Sequence, residues 1–406
     1  MAGKYEYIKR AWTDETGHKH VVYGKSEREA ADKLAERKAQ VKRGEYGISE
    51  KMTVRAWSEE WDRTYLRPRV RKAGADKKRG TMTEKSYQMY RQKLDGWILP
   101  EIGNQKIGKV KDVHLQQILN DAAEEGMSES HIQKVRLVLG KMFGQAVRSR
   151  VIMWNPADGL EMPAAEKNSR RSLTAYEREV ILDVARRHRC GLWVKFLLGT
   201  GIRPGESAPL QVRDVDLKKE VVHIYKDIES GTANVVSTPK TAAGIRDIPI
   251  PSWLVSELKP YLKGREPLEY LFPQTDGRSM KTITCIENDW RSFLRQVDLA
   301  MGAETTAHGH IYDPKDLKGN GDPLYPDPED PKKPRNGHKV APDLVLYCLR
   351  HTYCTDLQRA GVPLEIARML MGHEDITTTA NIYTHSGEAE VMQARDLINK
   401  HRAKEA

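Results

Sequence analysis

The sequence predicts an α+β chain, mainly α, in three parts: a small N-terminal sheet-plus-helix domain, a helical bundle, and a mostly helical C-terminal domain with a small antiparallel sheet. Three observations predict it. Polar and β-prone residues alternate over residues 4–25; apolar residues recur at helical spacing from Met52 to about Gly159; and short strand-like runs return between Val221 and Ile250 inside an otherwise helical region. A chain of 406 residues exceeds what one small core organises, so two to three domains are expected.

Taken in order, Tyr5, Tyr7, Ile8 and Trp12 and then Val21, Val22 and Tyr23 flank a turn at Asp14-Glu15-Thr16-Gly17, the pattern of a hairpin or a three-stranded sheet. Ser26 caps a charged helix to about Lys42, with Ala30, Ala31 and Leu34 inward. Trp57 and Trp61, then Tyr87, Tyr90 and Leu94, then Leu115, Ile118 and Leu119, and last Ile132, Val135, Leu139 and Phe143 mark a bundle of four or five helices. Asn155-Pro156 and the aperiodic stretch from Glu161 to Arg171 read as a linker. Ser172 or Thr174 starts a helix over 177–187, and an apolar helix spans 192–198. Residues 221–225, 235–238 and 246–250 read as strands of one small sheet, and 303–342, with seven prolines, as a polar loop insertion open to motion. The expected boundaries are 1–51, 52–160, a linker at 161–172, and 173–406.

A net charge of +10 points to a polyanionic partner, and its distribution says more. Between Arg67 and Arg79, seven basic residues (Arg67, Arg69, Arg71, Lys72, Lys77, Lys78, Arg79) stand against one acid, Asp76. Such a block is either a solvated loop or a path along nucleic-acid phosphates; within so basic a chain the second reading is preferred. No apolar run reaches the length of a membrane span, and the N-terminus carries no signal-peptide core, so a cytoplasmic protein without a membrane partner is expected. Cys190, Cys285, Cys348 and Cys354 lack CxxC spacing, and no GxxxxGK[ST] loop occurs, so zinc and ATP are not expected. Cys348 and Cys354 read as small buried hydrophobes on a helix.

The chemistry concentrates late in the chain. Thr200-Gly201-Ile202-Arg203-Pro204-Gly205-Glu206 precedes Leu349-Arg350-His351-Thr352-Tyr353, then Leu370-Met371-Gly372-His373, then Asn381-Ile382-Tyr383-Thr384-His385. Two arginines, a histidine and a late tyrosine suit phosphoryl transfer with a tyrosine nucleophile and no metal. A guanidinium binds two non-bridging oxygens and stays charged. Tyr383 is the candidate nucleophile; Tyr347 and Tyr353 lack its flanking pattern.

The order and spacing of these motifs resemble the tyrosine recombinases, the family of phage and transposon integrases, from about Met52 onward. The resemblance implies an arm-site DNA-binding domain, a core-binding bundle and a catalytic domain, which close on duplex attachment sites. It implies catalytic Arg203, Lys240, Arg350, His373 and Tyr383, with Lys240 on a hairpin protonating the departing 5′ oxygen and His373 donating to the phosphate. Glu206 and Tyr347 are supporting positions. Tyr347 departs from the family's His-x-x-Arg form, which leaves proton transfer at that site open. No cofactor and no metal are implied. The implied partners are duplex DNA, a homotetramer on it, and an excision or host accessory factor; the helical face of Val391, Ala394 and Ile398 would dock on a neighbouring protomer. Two rivals remain at this stage: a type IB topoisomerase-like activity and a non-catalytic DNA-binding regulator.

Overall fold

The computed structural model describes residues 7–15, 19–42, 51–72, 75, 80–165, 171–228, 236–237, 242–319 and 321–383. Two compact units divide at Asn168, each with its own hydrophobic core.

In the first unit, β1 (Ile8–Thr13) and β2 (Lys19–Gly24) form the expected antiparallel hairpin, registered Ile8 to Gly24 and Thr13 to Lys19. α1 (Glu27–Lys42) covers it with Ala30 fully buried, while Ala31 and Leu34 are only half-buried. The bundle comprises α2 (Val54–Trp61), α3 (Glu84–Lys93), α4 (Leu99–Ile102), α5 (Asp112–Glu124) and α6 (Glu129–Arg148). Thr53 and Thr83 cap α2 and α3 through their hydroxyls, as short polar residues at a helix start should. Trp57, Trp61, Leu115, Ile118, Leu119, Ile132, Val135, Leu139 and Phe143 all enter the core, so the helical period reads directly as the buried face. α2 and α3 each run on into a π-helical turn, at Asp62–Leu66 and Leu94–Ile98.

In the second unit, Thr174 caps α7 (Ala175–Ala185) in a reciprocal box with Glu177, so this helix lies two residues earlier than the sequence suggests. Then follow α8 (Gly191–Thr200), α9 (Pro204–Ser207), β3 (Val215–Asp216), β4 (Val221–Ile224), β5 (Asp227–Ile228), β6 (Val236–Ser237) and β7 (Arg246–Pro249). The strands do not form the single expected sheet. β3, β4 and β7 make one antiparallel sheet, whereas β6 pairs with β5 in a second ladder of two residues each. Strands this short carry no pattern that reveals a partner.

α10 (Ser252–Leu262) and α11 (Ile283–Ala300) lead into the polar segment. That segment is tied down at its base. Asp298, buried at the end of α11, accepts from the His338 ring and from the Lys339 and Val340 amides at 2.6 and 3.0 Å. Glu304 accepts from Arg335 at 2.9 Å, and the Arg335 guanidinium lies 4.3 Å from the Tyr312 ring. α12 (Tyr347–Arg359), α13 (Leu364–Met371) and α14 (Ile376–Tyr383) complete the unit. Cys348 and Cys354 are buried, as read from the sequence.

Candidate active site

The site is built around the end of α13. The last carbonyls of a helix have no intrahelical donor and carry the negative end of its dipole. Here three successive ones take one arginine each. Leu370 O accepts from Arg246 Nε at 2.7 Å, Met371 O from Arg350 Nη2, and Gly372 O from Arg203 Nη2 at 2.8 Å. Gly372 makes the turn possible with φ 62° and ψ 42°. A Cβ there would lie 2.9 Å from Arg246 Nη1 and 3.0 Å from the Ala243 carbonyl, so any other residue would be both strained and crowded.

The three arginines come from different elements: Arg203 at the start of α9, Arg246 at the start of β7, Arg350 in the first turn of α12. Glu206, almost fully buried, bridges two of them. It accepts from Arg203 Nη1 at 2.7 Å and from Arg246 Nη2 at 2.8 Å, and it also takes the Arg203 amide at 2.9 Å. Burial alone would raise its pKa, but Arg246 and then Arg203 and Arg350 bring it down to about 2. Burial opposes the charge on Arg203, and Glu206 more than offsets that, so its pKa ends above the ordinary value.

Arg350 is 1% exposed. Its Nη1 donates to Gly201 O at 2.7 Å, and its Nη2 donates to His373 Nε2 at 3.0 Å as well as to Met371 O. Gly201 ends α8 with φ 62°, and a Cβ on it would fall 2.1 Å from Tyr353 Cδ1. The Tyr353 ring fills that space; burial pushes its phenol up to about 12, which marks it as a core residue. Arg350 Nε has no hydrogen-bond partner among the described residues. Burial, then Arg203, lowers the Arg350 pKa to about 10, which still leaves it charged.

His373 is buried between Arg350 and Thr379, whose hydroxyl lies 2.9 Å from Nδ1. A guanidinium only donates, so Nε2 accepts and the ring proton sits on Nδ1 facing Thr379. Burial, then Arg350, Arg203 and Arg246, pushes the His373 pKa down to about 3, and the ring is neutral. The phosphate-donor role expected for His373 would need the proton moved to Nε2. Tyr383 is the last residue of α14, four positions after Thr379.

Residues 171–311 and 334–390 match the phage integrase family, and residues 75–122 match the phage integrase N-terminal SAM-like domain. The chain belongs to the tyrosine recombinase family. Among tyrosine recombinases, it is 28% identical over 315 residues to the XerC-like recombinase of Caldanaerobacter subterraneus subsp. tengcongensis, spanning 74% of this chain and 73% of that protein. It is 24% identical over 355 residues to the transposase of transposon Tn916 from Enterococcus faecalis, spanning 84% and 76%. The fold is similar to that of the Tn1549 transposon integrase in complex with transposon right end DNA, with a TM-score of 0.63 at 19% identity over 86% of this chain and all of that one. It is also similar to that of a lambda integrase in a tetramer bound to a Holliday junction, with a TM-score of 0.52 at 17% identity over 92% and 91%.

The family match passes over 312–333, inside the polar insertion. At the position where tyrosine recombinases often carry His-x-x-Arg, Tyr347 opens α12. Its ring lies 5.9 Å from the Arg350 guanidinium and 5.5 Å from the His351 ring, and its phenol favours the charged form of both Arg203 and Arg350. Lys240 lies outside the described residues, as do Lys77, Lys78, Arg79 and the face of Val391, Ala394 and Ile398. Arg67 stacks 4.8 Å from the Tyr87 ring, Arg69 donates to Gly80 O and Arg71 to Ala75 O, each at 2.6 Å, and Lys72 is exposed.

Sequence reasoning missed Arg246 and Thr379 as parts of the pocket. A signal existed for Arg246: it is in phase with Ile248 along β7 and with Ile250 just beyond it, and a charge on the inward face of a strand requires a buried partner. No helix among the described residues is long and apolar enough to cross a membrane.

Proposed function

We propose that this tyrosine recombinase integrates or excises a mobile element by cutting and rejoining duplex DNA through a 3′-phosphotyrosyl intermediate. One observation carries the reading. Arg203, Arg350 and His373, drawn from segments separated by up to 170 positions, meet at the end of α13, next to the helix that ends in Tyr383.

In this reading the scissile phosphate lies against Arg203 and Arg350, whose remaining N–H groups bind its non-bridging oxygens. The unpartnered Arg350 Nε is one such donor, held in place before the substrate arrives. Glu206 and the carbonyls of α13 fix the guanidiniums, so little reorganisation accompanies the growth of charge on phosphorus. Tyr383 Oη attacks phosphorus, the 3′-phosphotyrosyl bond forms and the bond to the 5′ oxygen breaks. That oxygen leaves with a proton, the role the family resemblance gives Lys240. A phenol with a free pKa near 10 needs an electropositive setting to react, and the arginines supply it. Attack by the freed 5′ hydroxyl reverses the step, so the bond energy is conserved and ATP is not required; in this reading the arginines meet the phosphate charge in place of a metal. The substrates are two duplex attachment sites, and a homotetramer on DNA is the working assembly; neighbours of similar fold are bound to DNA in their own structures.

The test is a nicked suicide duplex. The wild-type chain is expected to become covalently attached at an unchanged rate with EDTA present, and Tyr383→Phe to bind the same duplex without attachment. A covalent adduct formed by Tyr383→Phe would remove the nucleophile assignment.

A further inference from the structure

Outside the candidate active site, one cluster of cations in the bundle has no counter-charge among the described residues. Lys93, the last residue of α3, is 9% exposed although it is a lysine. Its ammonium lies 3.4 Å from Nδ1 and 3.3 Å from Nε2 of His131, between the ring nitrogens rather than in line with either lone pair. Trp97 meets the same imidazole edge-on, with centroids 5.5 Å apart. Lys134, three residues further along α6, is exposed beside them.

Among the described residues, no carboxylate pairs with this group. The nearest acids in sequence are already engaged: Asp95 with Arg91 at 3.0 Å, and Glu129 with Gln133 at 2.9 Å. Burial, then Lys134, lowers the pKa of Lys93; burial, then Lys93 and Lys134, lowers that of His131. Burial and like charge thus both work against the cluster. Buried cations are normally paired, so an uncompensated one marks a place where an anion belongs. Two features of the backbone agree with this. Lys93 directly precedes the π-helical turn Leu94–Ile98, a distortion frequent at functional sites. The N-terminus of the 20-residue helix α6 opens beside His131, and its Ser128 makes no side-chain cap.

We propose that Lys93, His131 and Lys134 form a phosphate-binding site that holds the backbone of the bound duplex, separate from the basic block at 67–79. The site takes a phosphodiester oxygen, with the Lys93 ammonium as its buried donor. This rests on the reading that the chain acts on duplex DNA.

The experiment is a titration of the full chain with a random-sequence duplex across salt concentrations. Lys93→Met keeps the aliphatic stem and removes the charge; Lys134→Met does the same at an exposed position where folding is not at issue. Each is expected to flatten the plot of log affinity against log salt by roughly 0.9, so that the loss between about 50 and 200 mM salt shrinks roughly threefold. Lys93→Met should also melt no lower than the wild type, because an unpaired buried charge has gone; a lysine needed only for structure would lower the Tm. An unaltered salt slope in either folded variant overturns the site. A wild-type chain that shows no salt-dependent duplex binding would instead overturn the DNA reading itself.

Discussion

Thr379 is a small residue with a large consequence. Its hydroxyl receives the Nδ1 proton of His373, and so steadies the tautomer in which Nε2 braces Arg350. Thr379→Val keeps the volume and deletes the bond; single-turnover adduct formation should slow on the order of tenfold, matching a hydrogen bond of about 1.4 kcal/mol. Thr379→Ser should restore most of the rate, and equal rates for Val and Ser would remove the role. His373 itself sets a pH dependence of folding. Its pKa falls from 6.5 to about 3 in the folded chain, so between these values the unfolded chain binds more protons. Stability should therefore drop as pH falls below about 6.5, by up to about 1.4 kcal/mol per pH unit from this group. Urea unfolding at pH 7.5, 6.5 and 5.5 measures it, and His373→Gln should flatten the profile.

Among the elements, the polar insertion behaves as an appendage with a firm base. Tyr312 O accepts from Gly337 N at 2.8 Å, so the segments entering and leaving the insertion are already side by side. Joining Asp313 to Pro334 through a few glycines and serines should keep the base, the fold and a Tm within a few degrees; a collapse of the melting transition would show that the excised residues support the core. In the sequence this segment reads as open to motion, because prolines and charges carry no period. What ties it down are single interactions, Asp298 with residues 338–340 and Glu304 with Arg335, which no window of sequence displays. The bundle is legible for the opposite reason: every turn of α5 and α6 repeats the same apolar instruction. The candidate active site falls between these cases. Arg203 and Glu206 sit three residues apart and can be paired on paper, and the motif around Arg350 is plain. Their common anchor is not, because it consists of the backbone carbonyls of Leu370, Met371 and Gly372, and carbonyls have no letter in the sequence.

For the molecule as a whole, the basic block should act through phosphates. Neutralising Lys72, Lys77 and Lys78 should weaken binding to every duplex alike and lower the salt slope by roughly 0.9 for each phosphate no longer neutralised; selective weakening at one sequence with an unaltered slope would point to base reading instead. The candidate active site adds a consequence for handling the protein. Among the described residues, the carboxylates that meet the three guanidiniums are Glu206 and the more distant Asp227, which leaves an excess of positive charge there. Sulfate or inorganic phosphate, tetrahedral and doubly charged, fits the same donors as a phosphodiester and should raise the Tm by mass action where chloride at equal ionic strength does not. The same ions would compete with DNA for the pocket, so the buffer that best preserves this chain in the tube is the one that most conceals its activity.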